Sequence, residues 1–206
     1  MNQLIRHKGP IRPGYEISIK GFTLPTGRKV FMTNRYDCCE PELVEQFVKE
    51  NDVGIRFMFT DDYLEPWPNV EWHWYPWIPT NDLPFEGFWA FLQTCSRWDL
   101  NPSNSIAKSM WFHCDSSTMR APTFLGLYLR AVYGDDAAKD IIPIPEQASH
   151  FEDCFMGNPL NYSMNELDGN KRLKQLVEAW QKGGEIEAYE IFMGREDILS
   201  ALNDEN

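Results

Sequence analysis

Apolar residues along this chain fall into short continuous runs and longer sets at helical spacing, and the two kinds alternate. The runs predict strands over 30–33, 54–60, 70–75 and 109–112. The spaced sets predict helices over 41–49, opened by Glu40-Pro41, then over 85–98 and 121–132. Strands alternating with helices imply an α/β fold, a mostly parallel central sheet flanked by helices, and such sheets take ligands at the carboxyl ends of their strands. Residues 1–28 carry Pro10, Pro13, Gly14, Pro25 and Gly27 with one short strand over 15–20, and read as a wrapped N-terminal arm. Beyond Gly134 the pattern loosens into turns and short helical pieces, followed by helices over 171–181 and 188–202. With no internal repeat and no low-complexity tract, residues 1–206 are expected to form a single domain: the arm, a core over 29–133, and a helical C-terminal part over 134–206.

Composition narrows the function classes. The chain is 43% hydrophobic and 14% aromatic, a globular balance, and no apolar stretch approaches the roughly 20 residues of a membrane helix. A net charge of −12 argues against nucleic acid or an acidic membrane surface as a partner, because both are held through phosphates neutralised by Lys and Arg. The basic start, MNQLIRHKGPIRPG, lacks the apolar centre of a secretory signal. Five cysteines without regular spacing suit free thiols in a reducing cytoplasm better than a disulfide framework. His7, His73 and His150 have no metal-ligand spacing and Cys38-Cys39 is not a C-x-x-C pair, so no metal or other cofactor is expected.

The densest chemistry lies in SMWFHCDSSTMRAPTFLGLYLRAVY, residues 109–133. An apolar strand ends on His113-Cys114, a short loop closes on Arg120, and an apolar helix follows. At such a strand-to-helix junction the N–H groups of Asp115, Ser116, Ser117, Thr118, Met119 and Arg120 can turn inward around one anion, helped by the positive end of the helix. Arg120 would add a planar two-pronged donor to oxygens where transition-state charge collects. The same field favours the thiolate of Cys114, the form that attacks phosphorus. A cysteine six positions before an arginine means little alone; its setting between strand and helix gives it weight. The alternative is a buried strand-end cysteine with an arginine in an ion pair. Asp115 beside the anion site should penalise polyphosphorylated substrates relative to a single phosphomonoester.

Through His113, Cys114, Arg120, Thr123 and the helix to Tyr128-Leu129, the segment resembles the loop of the cysteine-dependent protein-tyrosine phosphatase superfamily, most closely its dual-specificity-like branch. The likeness is specific in the loop and extends by order of elements over about residues 29–133. It implies a protein-tyrosine-phosphatase-like fold and a metal-independent phosphatase acting on a phosphorylated protein or peptide, at phosphotyrosine or also phosphoserine and phosphothreonine, through a phosphocysteine intermediate. It also implies a general acid on a separate upstream loop. Asp82, in WIPTNDLP and 32 residues before Cys114, has that spacing and setting; its alternative role is a helix cap, and Asp61 and Asp62 are the next candidates. His113 is then expected to orient the cysteine loop through hydrogen bonds, or else to be a satisfied core histidine.

Two positions depart from that pattern. Ser117 stands where the family commonly has Gly, and Ala121 stands where it usually has a Ser or Thr whose hydroxyl assists the departing thiolate. Ser116, Ser117, Thr118 or Thr123 are the available substitutes. The departures keep a second function in view, a phosphate-binding module with impaired turnover, beside a third, a phosphatase of a small molecule or nucleotide. Trp67, Trp72, Trp74 and Trp77 are expected to pack a sheet face rather than clasp a substrate ring.

Overall fold

The computed structural model describes residues 19–35, 40–61, 67–78, 83–101, 108–115, 119–141 and 169–194. Five strands and four helices lie in them: β1 (Ile19–Thr23), β2 (Lys29–Thr33), α1 (Pro41–Glu50), β3 (Val53–Met58), β4 (Glu71–Trp74), α2 (Phe85–Leu100), β5 (Ser109–His113), α3 (Arg120–Ile141) and α4 (Lys171–Phe192). The strands form one sheet in the order β1-β2-β5-β3-β4. β2, β3 and β4 join it through parallel pairings and β1 alone runs antiparallel, so the sheet is mostly parallel, as the alternation predicts, with one mixed edge.

That edge is where the sequence reading departs from the structure. Leu24 to Arg28 closes a tight turn, with the Leu24 N–H on the Arg28 carbonyl at 2.9 Å and the Gly27 N–H on the Leu24 carbonyl at 2.8 Å. Gly27 takes φ of 82°, a left-handed value that glycine reaches without Cβ strain. A turn this short can only join antiparallel neighbours. The Pro25-Thr26-Gly27 run read as arm is therefore the bend of a hairpin, and β1 begins at Ile19, with residues 15–18 of the expected strand outside the described residues.

β5 is central, and all five of its side chains are buried. Alternation along the inner strands supplies two apolar faces. Val30, Met32, Ile55, Phe57, Met110 and Phe112 face the larger core with α2, α3 and α4, while Val53, Met58 and Trp111 face α1 through Val44 and Phe47. α3 is buried from Arg120 through Ala131, the polar Arg120, Thr123 and Arg130 included. Gly134, at φ of 78°, breaks its path, which is where the regular pattern ends in the sequence. Gly184 breaks α4 in the same way, so the two C-terminal helices read from the sequence meet at that residue, and the second lies earlier than expected; residues 195–202 are outside the described residues. α4 is tied to α2 by stacking of Trp89 on Phe192, with ring centroids 5.0 Å apart.

The tryptophans divide. Trp77 is buried and Trp67 packs against the α1-side core, but Trp72 and Trp74 are 37% and 36% exposed. They share a face with Arg56 and Met58, their register partners, and sit on the edge strand β4, on the side of the sheet where, among the described residues, α1 packs. Sheet-face packing thus holds for the first pair and only in part for the second. Among the described residues no helix is long and apolar enough to cross a membrane.

Candidate active site

The carboxyl end of β5 delivers His113 and Cys114 to the middle of the sheet's rim. His113 pairs in register with Thr33 on one side and Met58 on the other, and its carbonyl accepts from the Phe59 N–H at 2.9 Å, so β3 runs on alongside it. Trp111 reaches across to β2, its indole N–H donating to Thr33 Oγ1 at 2.7 Å. These bonds fix the point at which the chain leaves the strand. Cys114 follows at 2% exposure, and the chain returns six residues later as Arg120, the first residue of α3.

Arg120 is the organising charge. Its side chain is 10% exposed. Nη1 donates to Asp61 Oδ1 at 2.5 Å and to the Trp77 carbonyl at 3.3 Å, while Nη2 donates to Asp115 Oδ2. Arg35 holds the other oxygen of Asp115 through Nη1 at 3.3 Å, and its N–H donates to the Asp115 carbonyl at 3.1 Å. Two arginines and two aspartates thus alternate across the start of the loop. In partly buried surroundings such charge-assisted bonds are stronger than neutral ones and hold the planar guanidinium in a defined plane.

Of the site residues expected from the sequence, the structure brings Cys114, Asp115, Met119, Arg120 and His113 together at one end of β5. Ser116, Ser117, Thr118, Asp82 and Asp62 lie outside the described residues. Asp61, a secondary candidate for the acid, is engaged as an acceptor on Arg120. Thr123, one of the substitute hydroxyls, donates to the Met119 carbonyl at 2.8 Å, as does its N–H at 2.9 Å, so its proton is committed to the first turn of α3. Ala121 is fully buried.

Three contributors escaped the sequence reading: Arg35, the Trp77 carbonyl, and Asp61 as a partner of Arg120. Arg35 and Asp61 each stand just past the carboxyl end of a strand that flanks β5, but that adjacency follows from strand order and not from local pattern.

Electrostatics separates the groups that carry charge from those that do not. Burial, then the positive charges of Arg56 and Arg35, lower the His113 pKa well below the usual histidine value, so the ring is neutral at pH 7. Burial first, and then the negative Asp99, push the Cys95 thiol well above its ordinary range. Cys95 is therefore a packing thiol, which leaves Cys114 as the cysteine among the described residues that stands at the rim. No group of three or more His, Cys, Asp or Glu among the described residues is arranged to hold a metal ion.

No family model matches the sequence, and no curated protein matches it. Solved structures similar to it include TpbA of P. aeruginosa, at 10% identity over 75% of this chain and 85% of that one with a TM-score of 0.49. A candidate protein tyrosine phosphatase of Leishmania major is 13% identical over 69% of this chain and 98% of its own, with a TM-score of 0.43. Human DUSP28 is 14% identical over 76% of this chain and 97% of its own, with a TM-score of 0.42. The weight of a functional reading therefore rests on the residues of this chain.

Proposed function

We propose that this chain is a cysteine-dependent phosphatase that hydrolyses phosphotyrosine in a protein or peptide by way of a phosphocysteine, with phosphoserine and phosphothreonine as the substrates to compare. The observation that carries the reading is the closed path from Cys114, at the end of the central strand, to Arg120, whose buried guanidinium opens α3 and points back to the first residue of the loop. The Cys114 thiolate attacks phosphorus and the P–O bond to the leaving group breaks. Arg120 and the loop amides hold the three equatorial oxygens, and Asp82 protonates the departing oxygen. Water then attacks phosphorus, the P–S bond breaks, and the thiolate and inorganic phosphate are released.

A second reading, a phosphate-binding module with slow turnover, draws on Ala121, which brings no hydroxyl, and on Thr123, whose hydroxyl is held by Met119. One set of variants separates the two. Cys114→Ser should abolish metal-free hydrolysis of an aryl phosphate and keep phosphate binding; residual activity above about 1% of wild type removes Cys114 as nucleophile. Arg120→Lys should fail as badly, because an ammonium lacks the planar fork. Asp82→Asn should slow phenyl phosphate by roughly 10² and an activated ester by less. A larger loss from Asp61→Asn or Asp62→Asn would transfer the acid's role to that residue. Wild-type protein that binds phosphate and turns nothing over would establish the module instead.

A further inference from the structure

Arg120 already carries an anion on its fork, and that anion belongs to the protein. The two Nη1 protons of Arg120 go to Asp61 and the Trp77 carbonyl. Nη2, which also carries two protons, meets one acceptor from the loop itself, the Asp115 carboxylate. The Asp115 side chain is 37% exposed and its second oxygen is already in reach of Arg35, at 3.3 Å, so it has another cation to pair with when it leaves Arg120. Asp61, 50% exposed, lacks such an alternative among the ion pairs of the described residues and shares Nη1 with a backbone carbonyl.

We propose that Asp115 is a displaceable latch, a carboxylate that holds Nη2 of Arg120 and swings onto Arg35 when a phosphoryl group arrives. The inference rests on the phosphatase reading above and adds a specificity-determining pair to it. Arg35, Arg120, Asp61 and Asp115 together carry no net charge, and an incoming dianion takes both protons of Nη2 only by displacing Asp115. The carboxylate stays nearby after it moves, and a second negative group on the substrate would face it at close range. The pair thus selects a lone phosphomonoester over a substrate with a second anionic group beside it.

The competing role for Asp115 is a permanent clamp that orients Arg120, and it predicts effects of opposite sign. Tungstate, a phosphate-like oxyanion, measures binding without turnover by titration calorimetry, and an aryl phosphate supplies kcat and KM. With the latch, Asp115→Asn should tighten tungstate by about tenfold and lower KM. Arg35→Gln should loosen tungstate by about threefold or more. It should do so less in the Asp115→Asn background, because the carboxylate it normally receives is gone. A looser tungstate complex and a fall in kcat on Asp115→Asn would establish the clamp and overturn the latch, and an unchanged affinity would overturn it as well. Should Asp115→Asn not fold, Arg35→Gln decides alone: binding at or above wild-type strength overturns the proposal. Wild-type protein with neither tungstate binding nor turnover would bring down the phosphatase reading and the latch together, whereas normal wild-type behaviour with an indifferent Asp115→Asn removes only the latch.

Discussion

Asp99 offers the clearest test of how the scaffold under the loop is held. It lies in the last turn of α2 at 3% exposure, and its carboxylate accepts from the hydroxyls of Tyr128, Tyr133 and Thr26. Those partners tie α2 to the middle of α3 and to the hairpin turn between β1 and β2. Tyr128 is fully buried, so Asp99→Ala leaves its hydroxyl with no water to turn to, a loss of about 2 kcal/mol. Tyr133 is half-buried and contributes about 1 kcal/mol, while exposed Thr26 recovers its bond from solvent. The sum is a destabilisation of about 3 kcal/mol, read as a lower urea midpoint with an unchanged slope. Adding Tyr128→Phe to Asp99→Ala should then restore about 1 kcal/mol, because the stranded donor is removed with its acceptor. Tyr128 lies about 12 Å along the helix from Arg120 at 1.5 Å per residue, so KM for an aryl phosphate should not change in the folded variant. A loss below about 1 kcal/mol for Asp99→Ala, or a further loss in the double variant, would refute the reasoning.

Two further outcomes follow from the site. The His113 pKa lies well below that of the unfolded chain, through burial and then Arg56 and Arg35, so as pH falls below about 6.5 the unfolded chain binds a proton that the native ring refuses. Stability present above that pH is lost on acidification, by up to about 1.4 kcal/mol per pH unit until the folded-state pKa is reached; urea midpoints at pH 7.5, 6.5 and 5.5 should show the extra slope in wild type and not in His113→Gln, and equal slopes would dismiss it. At Ala121, with Thr123 committed to Met119, breakdown of the phosphocysteine should limit turnover, giving a burst of alcohol before a slower steady rate; Ala121→Ser should raise the steady rate and leave the burst rate nearly unchanged, and stopped-flow traces without a burst would place the slow step elsewhere.

What was legible in the sequence is what local pattern encodes. β5 announces itself as an apolar run that stops on His113-Cys114, and α3 as apolar residues at helical spacing from Ala121. Both follow from burial between layers, so the central strand, the cysteine at its end and Arg120 at the helix start could be read before any contact was known. Trp72 and Trp74 show the limit of that logic: alternation assigns them to one face, but whether the face is covered depends on β4 being an edge and on α1 reaching it. The hairpin at Pro25-Thr26-Gly27 was hidden for a different reason, since a turn and an arm share the same residues until the strands on both sides are paired.

The charges around Arg120 belong to a third class, because their meaning depends on pairings between strands distant in the chain. Asp61 stands 59 residues from Arg120, the Trp77 carbonyl 43, and Arg35 80 from the aspartate it holds. Each lies on a segment that leaves the same rim of the sheet, and the order β2-β5-β3-β4 sets those segments side by side. In a parallel sheet the carboxyl ends of neighbouring strands converge by construction, so acidic and basic residues just past each strand form a second layer of electrostatics around whatever the central loop binds. A motif names the arginine; the strand order decides which carboxylates stand beside it.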